Sequence, residues 1–296
     1  MKYIQSLVIF LISVSCLFLC PSCITRQQTV ENITVDIDPS ELDEDVNSLF
    51  LNMGRKVLYS LPTPIEASML VKNWGVPRQD LLNEPANASK YLTKKKMAVN
   101  FGVYMTDLTC AGLYGQTQTV LKYKQAMQHL VEGLGLQSAV SPKVIQQIEE
   151  NISNKKELLQ IFSSIYASST EFLSADNRDF YALAILTGGW VEGMYIATSL
   201  IDENQPSNES RMKQVIDDNK QTFDLLWQVL SELDNIPDDA VYLMLDMAYV
   251  AHLFGHQTLL SAPKSTISIQ NTRMFFTELK NHIQVLRHQF TKLTGQ

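Results

Sequence analysis

The chain has 296 residues, 45% of them hydrophobic and 19% charged, which is ordinary globular composition with material for a sizeable core. A net charge of −7 and a pI near 5.3 exclude the strongly basic surface that nucleic-acid binding needs. No low-complexity tract interrupts the chain.

The N-terminus differs from the rest. Lys2 is the only charge in residues 1–23, and Leu7 to Leu19 is an apolar run of thirteen residues broken only by Ser13 and Ser15. That length suits the core of a signal peptide and is short for a membrane span. Three of the four cysteines, Cys16, Cys20 and Cys23, crowd at its end in "CLFLCPSCITRQQ". This arrangement suits a bacterial lipoprotein, in which a cysteine at the cleavage point carries the lipid and becomes the first mature residue. Cys20 follows the bulky Leu19. Cys16 would leave Leu17-Phe18-Leu19 on the mature side. Cys23 follows the small Ser22 and lies beyond the whole run, although Cys20 stands where a lipobox usually has leucine. The expected organisation is a signal peptide over 1–22, a lipid-bearing Cys23 and polar tether over 23–39, and one helical domain over 40–296. The sixteen residues 24–39 reach about 50 Å at most when extended. Ile24-Thr25-Arg26 follow Cys23, with neither an aspartate at the second mature position nor an acidic cluster. The expected address is therefore the outer membrane, facing the periplasm.

From Ser40 onward the pattern is helical. Leu42, Val46, Leu49, Phe50, Met53 and Val57 follow 3.6-residue spacing after a start signal at Ser40 and Asp43. Thr63-Pro64-Ile65-Glu66 and Ser141-Pro142 each combine a cap with proline in the first turn. Further helices are predicted over about 94–114, 117–133, 155–173, 177–202, 209–234, 238–256 and 269–293. Breaks are expected at Gly133 and Gly135, Asn204-Gln205-Pro206, Ile236-Pro237 and Ser261 to Ser268. Ser265 to Ile269 is the only candidate strand, and it is short. The predicted fold class is all-α: nine or ten helices packed as antiparallel pairs in one multi-helix domain. "GVYMTDL" (Gly102–Leu108), "GMYIATSL" (Gly193–Leu200) and, more weakly, "AVYLMLDM" (Ala240–Met247) echo one another as weak helical-hairpin repeats.

Three stretches are apolar nearly all round and are expected to be interior: Met97–Tyr114, Phe180–Ile201 and Ala240–Gly255. Each holds an acid in its apolar sequence: Asp107, Glu192 and Asp246. A buried carboxylate must be paired or hydrogen-bonded. Tyr104, Asp107 and Tyr114 share one helical stripe, as do Glu192 and Tyr195, and as do Tyr242, Asp246, Tyr249, His252 and His256. With Trp190, these residues form the candidate site. They suit a structural network of tyrosines and acids, or a small-ligand pocket with Tyr and Trp walls. A metal site at His252 and His256, spaced i, i+4, is a third reading. It lacks the glutamate of HExxH, and no Glu-x-x-His pair suggests a di-iron site. His129, His282 and His288 fall on polar helices, where solvent exposure explains them. Gly188, Gly189 and Gly193 in "TGGWVEGMY" each cost a helix about 1 kcal/mol relative to alanine. Their expected compensation is close approach of another helix or of a ligand, or, at Gly188-Gly189, a kink in the helix. Cys110, in an apolar helix, reads as a small buried hydrophobe. No Gly-x-Ser-x-Gly or phosphate loop is present, so no catalytic residue and no cofactor are assigned.

"NFGVYMTDLTCAGLYGQTQTVLKY" (Asn100–Tyr123) and "ILTGGWVEGMYIAT" (Ile185–Thr198) resemble, in the same order, segments of helical lipoproteins from Bacteroidota. The likeness covers most of the chain after the tether. It implies an exported, all-helical lipoprotein and supplies no activity. Where that group has an aromatic residue after Asp-Leu-x, this chain has Cys110, which argues against a role for the thiol. The expected function is that of a lipid-anchored, periplasm-facing binding or scaffold protein of the cell envelope, with an envelope protein as partner. A small-ligand receptor and a metal-dependent or hydrolytic enzyme are the alternatives.

Overall fold

A computed structural model of the chain describes residues 79–231, 238–256, 258 and 271–293. All of them belong to the compact unit Ser48–Gln296. The expected signal peptide, Cys23, the tether, the helices begun at Ser40 and Thr63 and the loop around Ser265 lie outside the described residues.

Local sequence sets where the helices begin. Thr93 Oγ1 accepts from the Lys96 amide at 3.2 Å, which caps α1 (Lys94–Leu113). Ser141 does the same for α3 (Pro142–Glu150), with proline in the first turn as the sequence suggested. Asn154 caps α4 (Lys155–Ala175), and Asn271 caps α8 (Thr272–Thr291). The remaining helices are α2 (Thr117–Leu134), α5 (Asp179–Ser199), α6 (Glu209–Ser231) and α7 (Asp238–Leu253). Among the described residues there are eight α-helices, three short 3₁₀ turns and no strand, so the fold is all-α.

Glycines in left-handed backbone stop two helices. Gly135 (φ 70°) ends α2, and Gly255 (φ 91°) follows α7. Gly133, expected as a break, stays inside α2. Basic and amide side chains then cover exposed carbonyls at two helix C-termini. Lys94 donates to Gly133 O and Arg178 Nη1 to Leu134 O (2.8 Å) at the end of α2. Lys96 Nζ and Asn100 Nδ2 both donate to Phe290 O near the end of α8, at 3.3 and 2.9 Å.

Each helix packs on its neighbour in the chain, and the three-residue link Tyr114–Gln116 folds α2 back on α1. The centre is the pair α1 and α5. Each touches the other and also α4 and α8. Both are buried along nearly their whole length. α5 is long and apolar enough to cross a membrane, but most of that stretch is buried within the protein, as expected of a core helix.

α1 and α5 meet backbone to backbone. A methyl group added at Gly102 would stand 1.9 Å from Ile185 O, and one at Gly188 would stand 1.9 Å from Val99 O. Thr106 Oγ1 adds a hydrogen bond to Gly189 O at 3.2 Å. The close approach expected at the glycine cluster is therefore made, at Gly188, by another helix. Cys110 is buried in the same core.

α7 departs from expectation. It is apolar, yet among the described residues its main packing is on α6 and α8. Val241, Tyr242 and Leu245 stand in solvent, and Tyr242 is 61% exposed.

The crossing gives a first test. Gly102→Ala and Gly188→Ala place a Cβ against backbone, which cannot rotate away, so each is expected to cost about 3 kcal/mol or more in chemical denaturation. An unchanged unfolding midpoint in either variant would contradict this packing.

Candidate functional site

The crossing of α1 and α5 brings the acids Asp107 and Glu192 together in the core, both wholly buried. Glu192 is the better provided. Arg287 reaches in from α8 and donates through Nε to Glu192 Oε2 at 3.1 Å and through Nη2 to Oε1 at 3.4 Å. The Arg287 guanidinium also donates to Leu81 O at 3.3 Å and lies 4.7 Å from the ring centre of Tyr195, its fourth neighbour being Asp107 in charge range.

Asp107 is held on one side only. Its Oδ2 accepts from the Asn83 amide at 2.9 Å and lies 3.2 Å from Tyr123 OH. Its Oδ1 receives no hydrogen bond from any donor. The carboxyl of Glu192 lies in hydrogen-bonding range of the Asp107 carboxyl, and two carboxyl groups can share a hydrogen bond only if one of them is protonated. Burial and the charge of Glu192 both push Asp107 well above the usual carboxylate range, while Arg287 opposes them. Burial also raises Glu192, but Arg287 works against it through charge and hydrogen bonds. With the guanidinium on Glu192, the shared proton is assigned to Asp107 and the charge to Glu192.

Tyrosines enclose the pair. Tyr123 OH donates its one proton to Asn83 O, the shorter of its two contacts. Tyr104 OH donates to Glu84 O at 2.7 Å, and its ring lies 5.5 Å from that of Tyr123 and 6.4 Å from that of Tyr91. Tyr91 OH accepts from Asn83 Nδ2 at 3.1 Å and donates to Thr291 O at 3.3 Å. Burial holds the three phenols above their ordinary pKa, so they remain neutral donors.

Of the residues singled out in the sequence, Tyr104, Asp107, Glu192 and Tyr195 share this cluster. Tyr114 lies two turns beyond Asp107, where it ends α1. Trp190 faces elsewhere: its ring lies 5.0 Å from Phe223, which is itself near Trp227 and Phe254, and its buried Nε1 has no hydrogen-bond partner. Tyr242 is a surface residue beneath the Lys95 ammonium, at 5.2 Å. Asp246 is half-buried. Burial raises its pKa against the pull of Lys95 and Lys96, and it does not join the other two acids.

The histidine pair of the sequence is not built as one face of a helix. α7 ends at Leu253, and Gly255 turns the chain before His256. His256 Nε2 instead pairs with Asp224 Oδ1 at 2.8 Å. Burial opposes the charge on Asp224, but Lys220 and His256 hold its carboxyl below the usual range. Among the described residues no group of three or more His, Cys, Asp or Glu side chains could hold a metal ion. His282 is half-buried rather than solvated. Its ring packs 4.4 Å from Tyr249, its Nε2 is enclosed without a partner, and burial lowers its pKa. Tyr249 OH donates to Glu278 Oε1 at 2.6 Å, which pushes its pKa up to about 12.

Sequence reasoning missed Arg287, Tyr123, Tyr91 and Asn83. The available signal was Arg287, which adjoins Leu286 beside the buried stripe Leu279, Ile283, Leu286 and Phe290 of α8. Two buried acids require a buried base, and the edge of such a stripe can supply one. No protein-family model, curated protein or solved structure matches the chain.

The two acids should respond oppositely to neutralisation. A carboxyl whose pKa is raised on folding stabilises fully below its unfolded value, near 3.9, and that stability is lost as pH rises through the folded value, by up to about 1.4 kcal/mol per unit. Asp107→Asn copies the protonated acid, with a carbonyl for the Asn83 amide and an amide donor for Glu192. It is expected to keep the fold, and its advantage over the parent should widen from pH 5 to pH 9 in thermal unfolding. Glu192→Gln strips Arg287 of its counter-charge and is expected to cost about 3–5 kcal/mol. Equal losses in both variants would contradict the proton assignment.

Proposed function

We propose that this chain is a lipid-anchored, periplasm-facing scaffold or binding protein of the cell envelope. Cys23 holds it at the membrane, and the helical body is presented to a protein partner. The observation that carries the scaffold reading is the way the interior polar groups are used. Asp107, Glu192, Arg287 and the tyrosines around them bond to one another and to the backbone, which is how a rigid body is locked in register. A pocket for a polar ligand would instead leave such groups turned towards an open space. The anchor rests on the apolar run, the small residue before Cys23 and the polar stretch that follows.

A small-ligand receptor remains as a second reading because of one group. Trp190 Nε1 is a buried donor without an acceptor, in an aromatic cluster with Phe223, Trp227 and Phe254. Native mass spectrometry of the mature protein from its own host separates the two. A retained protein partner supports the scaffold, and a retained small molecule that is lost in Trp190→Phe supports the receptor.

For the anchor, metabolic labelling with a fatty-acid analogue is expected to mark the parent protein and to vanish in Cys23→Ser. Labelling that persists there and vanishes in Cys16→Ser would move the attachment point.

A further inference from the structure

We propose that the segment 79–93 is a proton-locked strap: it lies closed on the Asp107–Glu192 pair while one proton bridges the two carboxyls, and it lifts when that proton passes to water. The inference rests on the geometry of the core and is independent of the lipid anchor.

The strap has little regular structure of its own. It consists of the 3₁₀ turns Gln79–Leu81 and Pro85–Lys90 and the residues beside them. It is stitched down by bonds that converge on the acid pair. The Asn83 amide donates to Asp107, Tyr123 donates to Asn83 O, Arg287 donates to Leu81 O, and Tyr104 donates to Glu84 O. Tyr91 then ties the far end to Thr291 of α8. Among the groups bonded to Asp107, Asn83 alone belongs to an element outside the packed helices. Ala88 and Tyr91 add apolar burial to these bonds, but with few ladder bonds of its own such an element opens at lower cost than a core helix.

The charges facing Asp107 make that opening depend on pH. Glu192 approaches from α5 and Arg287 from α8. Tyr123 comes from α2 and Tyr104 from α1 itself. Asn83 and Tyr91 come from the strap, while α4 brings the apolar Phe162 against Gly112. One guanidinium balances one carboxylate. A second carboxylate at Asp107 would repel Glu192 and be left uncompensated in the closed state, so loss of the proton favours the state in which water reaches Asp107. In that open state the carboxyl returns to its ordinary range, and opening releases one proton. Acid closes the strap and base opens it.

Hydrogen exchange on the full chain tests this. Protection of peptides covering 79–93, divided by the intrinsic exchange rate, is followed from pH 5 to pH 9 beside peptides from α1 and α5. In the parent the strap's opening constant is expected to rise up to tenfold per pH unit, one proton's worth, while α1 and α5 stay protected. In Asp107→Asn the strap is expected to show no such rise. The proposal is overturned if the rise is the same in the variant, if the parent shows none, or if the strap exchanges only together with α1 and α5. The last two comparisons need the parent protein alone.

Discussion

Two carboxyl groups and one guanidinium are buried together where α1, α5 and α8 meet, and three full charges there would leave one negative charge uncompensated in a medium that solvates it poorly. Removing two ions from water already costs several kcal/mol each before their attraction repays it, and an unpaired third is not repaid at all. A proton on Asp107 removes the imbalance. It also accounts for the bonds observed. Oδ2 accepts from the Asn83 amide, as an oxygen of a neutral acid can, and the proton supplies the donor that a hydrogen bond between Asp107 and Glu192 requires. Arg287 is then left to Glu192 and to the Leu81 carbonyl. The backbone contact at Gly102 and Gly188 comes first in this chain of causes, because it draws together the two helices that carry the acids.

The helices were legible because their ends are written in local chemistry. Ser141-Pro142 starts a helix where it was expected, and α1 and α2 match their predicted spans to within a residue at either end. Asp107 and Glu192 stood out as charges inside apolar runs. Arg287 did not, because α8 is amphipathic and carries other basic residues, Arg273 and His288, on its exposed side. Only the three-dimensional arrangement selects the one that turns inward. Asn83, Tyr91 and Tyr123 come from stretches whose composition is unremarkable, and they matter through backbone and hydroxyl groups that sequence pattern does not rank.

Three expectations failed for physical reasons. α7 is apolar nearly all round, but among the described residues it packs mainly on α6 and α8, so Val241, Tyr242 and Leu245 remain at the surface and Asp246 stays apart from the other acids. The i, i+4 spacing of His252 and His256 implied a shared face only while the helix continued. Gly255 reverses the chain between them and hands His256 to Asp224. Trp190 was grouped with Glu192 by proximity in sequence. Two positions along a helix differ by about 200° in direction, which sends the indole towards α6 and the carboxylate towards α1 and α8.

An interior that fixes its own polar groups in this way suits a body that acts by presenting a surface, and that is the sense in which the proposed scaffold role and the buried pair belong together. Whether Asp107 carries its proton can be read directly by infrared difference spectroscopy of the folded protein at neutral pH. The expected result is the carbonyl stretch of a protonated carboxylic acid in the parent and its loss in Asp107→Asn. A spectrum showing only carboxylates at neutral pH, or a protonated-acid band that survives in Asp107→Asn, would contradict it.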